Sequence, residues 1–323
     1  MSRRLRAVPI LLSVCVLWAG PAVAQDLDRD GLSDRLEQAL LERFAPTLVL
    51  SAGECDGHPA TLEPWAVDPR VVDRSGTLYG HVALRALRPG DVEIEIKYFH
   101  LWGRDCGRPS HALDIERVST LVRAASLDAA PEEWEAAYWY AAAHEGTVCD
   151  ASSGAAAQAV RATTVGPYVY VSRGKHASYL NRGHCKWGCG SDRCDPGPPA
   201  PRGDVLNLGE RDAPMNGATW LVSRRWDLAD KLTTDFDGEL RARFDREWPS
   251  TVLALQVARR PIQAPILGGD TGLDALIEAG KAATLSLDAA ADATATALEA
   301  TGQAIATAAG KTLRGVAWFL RVK

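Results

Sequence analysis

Asp91-Val92-Glu93-Ile94-Glu95-Ile96-Lys97-Tyr98-Phe99-His100 decides the fold class. Val92, Ile94, Ile96 and Tyr98 alternate with Glu93, Glu95, Lys97 and Phe99, the period of two that marks a β-strand. A loop is expected over residues 102–109, where glycine and proline interrupt the pattern around Asp105 and Cys106. Ser110-His111-Ala112-Leu113-Asp114-Ile115-Glu116 follows and runs into residues 117–123, where Val118, Leu121 and Val122 suit a second strand. An extended Asp114–Glu116 would place both carboxylates on one face. Carboxylates that close repel, and a cation or a shared proton relieves the repulsion. The expectation is a polar, metal-binding pocket at this end of the strand.

Further strands are expected at residues 47–50, within 77–87, and at Tyr168-Val169-Tyr170-Val171, which delivers Gly174-Lys175-His176-Ala177-Ser178-Tyr179. Residues 34–44 read as a helix, with Leu36, Leu40, Leu41 and Phe44 near one face and Pro46 ending it. Residues 53–64 read as a loop. The aromatic-rich stretch 131–143 fits either a helix or a strand. The pattern is mainly β, of α+β type. His176 beside Ser178 does not read as a Ser-His hydrolase, because no G-x-S-x-G elbow is present and neighbouring residues on a strand point apart.

Residues 1–24 carry Arg3, Arg4 and Arg6, an apolar run from Val8 to Ala19, and Ala22-Val23-Ala24 before Gln25, the layout of a secretory signal peptide. The six remaining cysteines, Cys55, Cys106, Cys149, Cys185, Cys189 and Cys194, read as three disulfides in an exported chain, with the pairing left open. A zinc knuckle of His184, Cys185, Cys189 and Cys194 is the alternative. The expected location is periplasmic or extracellular. A net charge of -5 and the lack of a basic stripe argue against a nucleic-acid partner.

The expected mature chain opens with Asp26-Leu27-Asp28-Arg29-Asp30-Gly31-Leu32-Ser33-Asp34-Arg35-Leu36-Glu37, which fits the D-x-D-x-D-G-x5-E calcium loop. Asp26, Asp28, Asp30, Asp34 and Glu37 would supply carboxylate oxygens, Leu32 its carbonyl, and Gly31 the sharp turn. The entering helix of such a motif would lie in the signal peptide, so this is a loop plus an exiting helix. An acidic helix N-terminus without an ion is the simpler alternative.

Two resemblances follow from these residues. His-x-x-Asp-x-Glu at 111–116, then Pro-x-Val-Tyr-Val-x-x-Gly-x-His-Ala-Ser-Tyr at 167–179, resembles the vacuolar protein sorting 62-type (Vps62-like) family, as does Arg43-Phe44-Ala45-Pro46. More distantly, residues 110–116 resemble the heptapeptide of necrosis- and ethylene-inducing, NPP1-like proteins. The second resemblance implies a secreted β-sandwich with a divalent cation in an acidic cavity. Carried over by position, His111, Asp114 and Glu116 would line that cavity, with Asp105 as a fourth ligand and His176 facing it. Ser110, Ala112, Leu113 and Ile115 depart from the heptapeptide, which removes its second histidine and its tryptophan and puts toxin-like activity in doubt.

Residues 271–323 differ in composition, being rich in alanine and threonine. Asp274, Glu278, Lys281, Asp288, Asp292, Glu299 and Gln303 make one polar stripe on a long helix. Leu313, Trp318 and Phe319 beside Lys311, Arg314 and Arg321 resemble an interfacial anchor, with docking or self-association as the other use. The expected organisation is a signal peptide (1–24), a calcium loop plus helix (25–42), a Vps62-like β-sandwich (43–265) and an Ala-rich helical region (266–323). The expected function is cation-dependent binding of a glycan or lipid headgroup. The alternatives are a metal-dependent hydrolase with Glu116 or His176 as general base, and an envelope assembly protein acting through its C-terminal helix.

Overall fold

The computed structural model describes residues 25–107, 110–145, 151–188, 192–223 and 231, together with the pairing of Ala254–Leu255. Residues 1–24, Cys149, Cys189, Trp226 and the region 266–323 lie outside the described residues. The chain runs through helix α1 (Asp34–Phe44), then β1 (Thr47–Leu50), β2 (Thr61–Leu62), β3 (Val71–Asp73), β4 (Leu78–Arg88) and β5 (Asp91–Asp105). It continues through β6 (His111–Ala124), β7 (Glu135–Ala141), β8 (Ser153–Ala156), β9 (Tyr168–Val171) and β10 (Ser178–Tyr179). Last come β11 (Val205–Asn207), β12 (Gly209–Glu210), β13 (Ala213–Pro214) and β14 (Ala254–Leu255). Helix α1 has the bounds expected from its periodicity. Ser33 caps it by accepting from the Leu36 amide, and Asp34 and Glu37 lie in its first turn.

The fold is mainly β. Among the described residues the main sheet has seven strands in the order β11-β4-β5-β6-β7-β8-β14, and a second sheet has the order β1-β9-β10. Neither closes on itself. Along β5, Ile94, Ile96, Tyr98 and Trp102 face a core that also holds Leu48, Leu50, Val169 and Val171 of the second sheet. Leu40, Leu41 and Phe44 of α1 enter the same core, so the helix belongs to it and is not an appendage.

One expectation needs correction, and two further points emerge. Strand β5 does not stop at His100 but continues to Asp105, paired with β6 on both sides of Gly103 and Leu113. The opposite face of β5 is not solvated: Glu93, Glu95 and Lys97 are buried, where Arg123 donates to Glu93, Arg85 to Glu95, and Lys97 stands 3.8 Å from Glu95. Stretch 131–143 resolves into a short 3-10 turn followed by β7.

The described disulfides are Cys55–Cys106 and Cys185–Cys194. The second uses two sulfurs that the zinc-knuckle alternative required as thiolates, so that alternative fails. Of the described residues, no helix is long and apolar enough to cross a membrane.

Candidate metal and ligand pocket

The pocket forms where β5 and β6 approach their connecting loop. Antiparallel pairing sets Asp105 opposite His111, Trp102 opposite Asp114 and His100 opposite Glu116. Directly paired residues share a face, so Asp114 and Glu116 stand beside Trp102 and His100 and point toward the second sheet. Leu113 interrupts the strand with a left-handed backbone, φ +59°. Its carbonyl accepts a hydrogen bond from His111 Nδ1 at 2.8 Å. A carbonyl cannot donate, so Nδ1 carries a proton and Nε2 is the nitrogen left to face the carboxylates. Nε2 lies 3.4 Å from Asp105 Oδ2, and ligand atoms of Asp105, His111 and Asp114 fall within 4.8 Å of one another.

His176 arrives from the loop between β9 and β10. Its own backbone is left-handed at φ +59°, just after Gly174 at φ +73°. Its ring stacks on Trp102 with centroids 4.0 Å apart. Nδ1 lies 2.9 Å from Asp114 Oδ2 and Nε2 lies 3.2 Å from Glu54 Oε1. Ionised carboxylates only accept, so both ring nitrogens donate and the ring is an imidazolium. Burial alone would pull its pKa down, but the hydrogen bonds to Asp114 and Glu54 outweigh it and hold the pKa up at about 9. His176 thus faces the cluster as expected, but in this geometry it offers the cluster a charge and no lone pair.

Glu54, Lys231 and Asp192 were not among the expected site residues. Glu54 Oε2 accepts from the Gly174 amide at 3.0 Å, and Oε1 accepts from the Cys55 amide at 2.7 Å. Lys231 donates to the Ile115 carbonyl at 3.0 Å, and its Nζ stands 3.7 Å from Asp114 and 3.8 Å from Glu116. Burial pushes the Glu116 carboxyl up to about 8, against the opposing pull of Lys231, with the Asp114 charge adding to the rise. Asp114 goes the other way: burial would raise it, but the His176 hydrogen bond and Lys231 hold it below the usual carboxylate range. Nearby, Asp192 accepts from His144 at 2.6 Å and from Tyr179 at 2.5 Å, and Lys175 lies 3.3 Å from it. Such residues come from distant segments with no local spacing, which is why a sequence pattern misses them.

Ser178 finds its histidine in His100, not in His176. His100 Nε2 lies 2.7 Å from Ser178 Oγ, while Nδ1 accepts from the Trp102 indole at 2.8 Å. With Nδ1 accepting, Nε2 carries the proton and donates to the serine, which is the wrong direction for a general base.

The N-terminal loop is a separate cluster. Asp26 accepts from the amides of Arg29 at 2.6 Å and Gly31 at 3.2 Å, and Asp34 accepts from the Leu27 amide at 2.8 Å. Asp28 and Glu37 are buried, and Leu32 packs in the main core. Burial, followed by repulsion from neighbouring carboxylates, pushes Asp28 up to about 7 and Glu37 up to about 9.

No family model matches the chain and no curated protein matches it, so membership of the Vps62-like family gains no support beyond the motifs. Solved structures of the necrosis- and ethylene-inducing kind do match. One, described as a toxin fold for microbial attack and plant defense, is 17% identical, with 60% of this chain and 84% of that chain covered and a TM-score of 0.30. NLPPya in complex with mannosamine is 16% identical, covering 62% and 83%, with a TM-score of 0.30. Necrosis and Ethylene inducing Protein 2 from the causal agent of cocoa's Witches Broom disease is 16% identical, covering 61% and 84%, with a TM-score of 0.28. At this identity and overlap the function has to be argued from the side chains.

Proposed function

We propose that this is an exported protein whose pocket holds a divalent cation through Asp105, His111 and Asp114 and uses it to bind a polar ligand, a glycan or a lipid headgroup. The observation that carries the reading is the convergence of one ligand atom each from Asp105, His111 and Asp114 within 4.8 Å. The Leu113 carbonyl holds Nδ1 as a donor, so Nε2 is the nitrogen that can turn a lone pair to a cation, which would take the place of a proton facing Asp105. The His111 side chain is 44% exposed, so a ligand can approach from solvent. Two carboxylates and one imidazole suit a hard or borderline cation. Glu116 joins this set only through Lys231, whose ammonium lies between it and Asp114. The two disulfides support export to an oxidising compartment, periplasmic or extracellular.

Calorimetric titration of the mature protein with calcium, magnesium and manganese tests the reading. His111→Ala and Asp105→Asn should each abolish one class of ion site. Mannosamine, glucosamine and anionic vesicles, each with and without chelator, then separate a sugar from a lipid headgroup. Identical titrations of wild type and both variants would sink the proposal. A metal-dependent hydrolase is the second reading, favoured by the near-neutral Glu116 carboxyl, which could exchange a proton at working pH. Its mark would be chelator-sensitive turnover lost in Glu116→Gln. Assembly or membrane contact through residues 266–323 is a third proposal, and deletion of that region tests it.

A further inference from the structure

We infer that the N-terminal loop is a calcium latch, in which one ion held by Asp28, Asp30 and Glu37 fastens the start of the chain to helix α1 and the main sheet. This site shares no residue with the pocket and does not depend on the reading given for it. The sequence motif names six ligand positions, five of them carboxylates, and the structure divides those five into two groups. Asp26 and Asp34 already accept from backbone amides, so they shape the loop. Asp28, Asp30 and Glu37 form the other group, with ligand oxygens within 4.8 Å of one another; Asp28 also falls within that distance of Asp26 and Asp34, but those two already serve backbone amides.

In each of the three, a buried oxygen has no hydrogen-bond partner: Asp28 Oδ1, Asp30 Oδ2 and Glu37 Oε1. Asp28 is 5% exposed and Glu37 is fully buried at 0%. A buried polar atom with no partner is rare in a folded protein, because it loses its water without compensation. Three such oxygens that converge, all from carboxylates, also repel one another. One hard cation would satisfy all three and cancel the repulsion, and an all-oxygen set favours calcium among common ions. Backbone geometry agrees with a built loop. Gly31 has φ +92°, which a side chain would strain, and Asp30 Oδ1 accepts from the Leu32 amide at 2.7 Å.

The connections of the site indicate what the ion does. The other oxygen of Glu37 accepts from Asn207 Nδ2 at 3.3 Å, and Asn207 ends β11 at the edge of the main sheet. Next to Glu37, Gln38 donates to the Val205 carbonyl of the same strand at 2.9 Å. Leu32, next to Gly31 in the loop, is buried in the main core. An ion here therefore ties three things together: the terminal loop, the first turn of α1 and the β11 edge. Termini not held in this way fray.

The test is thermal unfolding of the full mature chain in chelator and in a calcium series, with calorimetric stoichiometry. Calcium at a hundred times its dissociation constant should raise Tm by about 5 °C or more. Measured in a His111→Ala background, so that an ion in the pocket does not contribute, Asp28→Asn and Asp30→Asn should each lose most of that shift. Magnesium should shift Tm far less, since it is reluctant to shed its water. Glu37→Gln is a third variant, and its loss of folding would not rescue the idea if both aspartate variants respond like wild type. Calcium that binds without moving Tm, or a shift that persists in Asp28→Asn, would overturn the latch.

Discussion

At the scale of single residues, His100 shows how burial sets chemistry. The ring is fully buried, accepts from Trp102 and donates to Ser178, so both nitrogens are satisfied only in the neutral form. Burial, reinforced by the positive charge of His176, depresses its pKa to about 3. The unfolded chain takes up this proton near pH 6.5, well before the folded chain does. Stability is therefore lost as pH falls below about 6.5, by about 2 kcal/mol at pH 5 from this residue. Denaturant melts at pH 7.5 and pH 5 should show that much more loss for wild type than for His100→Gln. Parallel losses would mean the ring is charged in the fold. At this scale the sequence was partly legible. His111, Asp114 and Asp105 came from the resemblance; the period of two would put His111 and Asp114 on opposite faces, and they meet across Leu113, whose backbone is left-handed. Glu54 and Lys231 were invisible because only tertiary folding brings them in.

At the scale of elements, helix α1 docks on β4 at a glycine. A Cβ on Gly80 would stand 2.1 Å from Leu41 Cδ2, and Leu41 is fully buried with no room to turn away. The Leu41 carbonyl is also held, accepting from the Tyr98 hydroxyl at 3.0 Å. Gly80→Ala should cost about 1–3 kcal/mol by overpacking, and Leu41→Ala about 2–5 kcal/mol by opening a cavity. In the double variant the alanine methyl enters space the leucine left, so the combined cost should fall short of the sum. Additive costs in urea unfolding would show that helix and strand do not meet there. Helix α1 was legible because its apolar residues repeat at helical spacing. The end of β5 was not. Gly103 reads as a loop residue, yet its missing side chain makes room for the Arg74 guanidinium and the Asp56 carboxylate, 2.7 and 3.2 Å from where a Cβ would be. The glycine serves a close approach inside a strand, and local punctuation cannot distinguish that from a turn.

At the scale of the whole molecule, the pocket is assembled from both sheets and a loop that belongs to neither. The β5–β6 hairpin brings Asp105, His111 and Asp114, the β9–β10 loop brings His176, and the segment after β1 brings Glu54. One covalent bond spans these parts: Cys55–Cys106 joins the Glu54 loop to the hairpin, across 51 residues. Hydrogen bonds continue the tie, since the Cys106 amide donates to the Gly174 carbonyl at 2.7 Å and the Gly174 amide to Glu54 at 3.0 Å. The other bridge among the described residues, Cys185–Cys194, spans only 9 residues. Loop-closure entropy then gives about 4 kcal/mol for the long bridge and about 3 kcal/mol for the short one. The similar totals conceal different local effects. Removing Cys55–Cys106 by paired alanines should speed amide exchange at Gly174 and weaken the cation binding proposed for the pocket, because Glu54 loses its anchor to the hairpin. Replacing Cys185 and Cys194 should lower Tm to a similar degree while the Gly174 amide keeps its protection. Both pairs should be compared at the same distance below their own Tm, so that global unfolding does not dominate exchange. Equal protection of Gly174 in the two variants would mean that the hydrogen bonds alone hold the pocket and that the long disulfide contributes only to global stability.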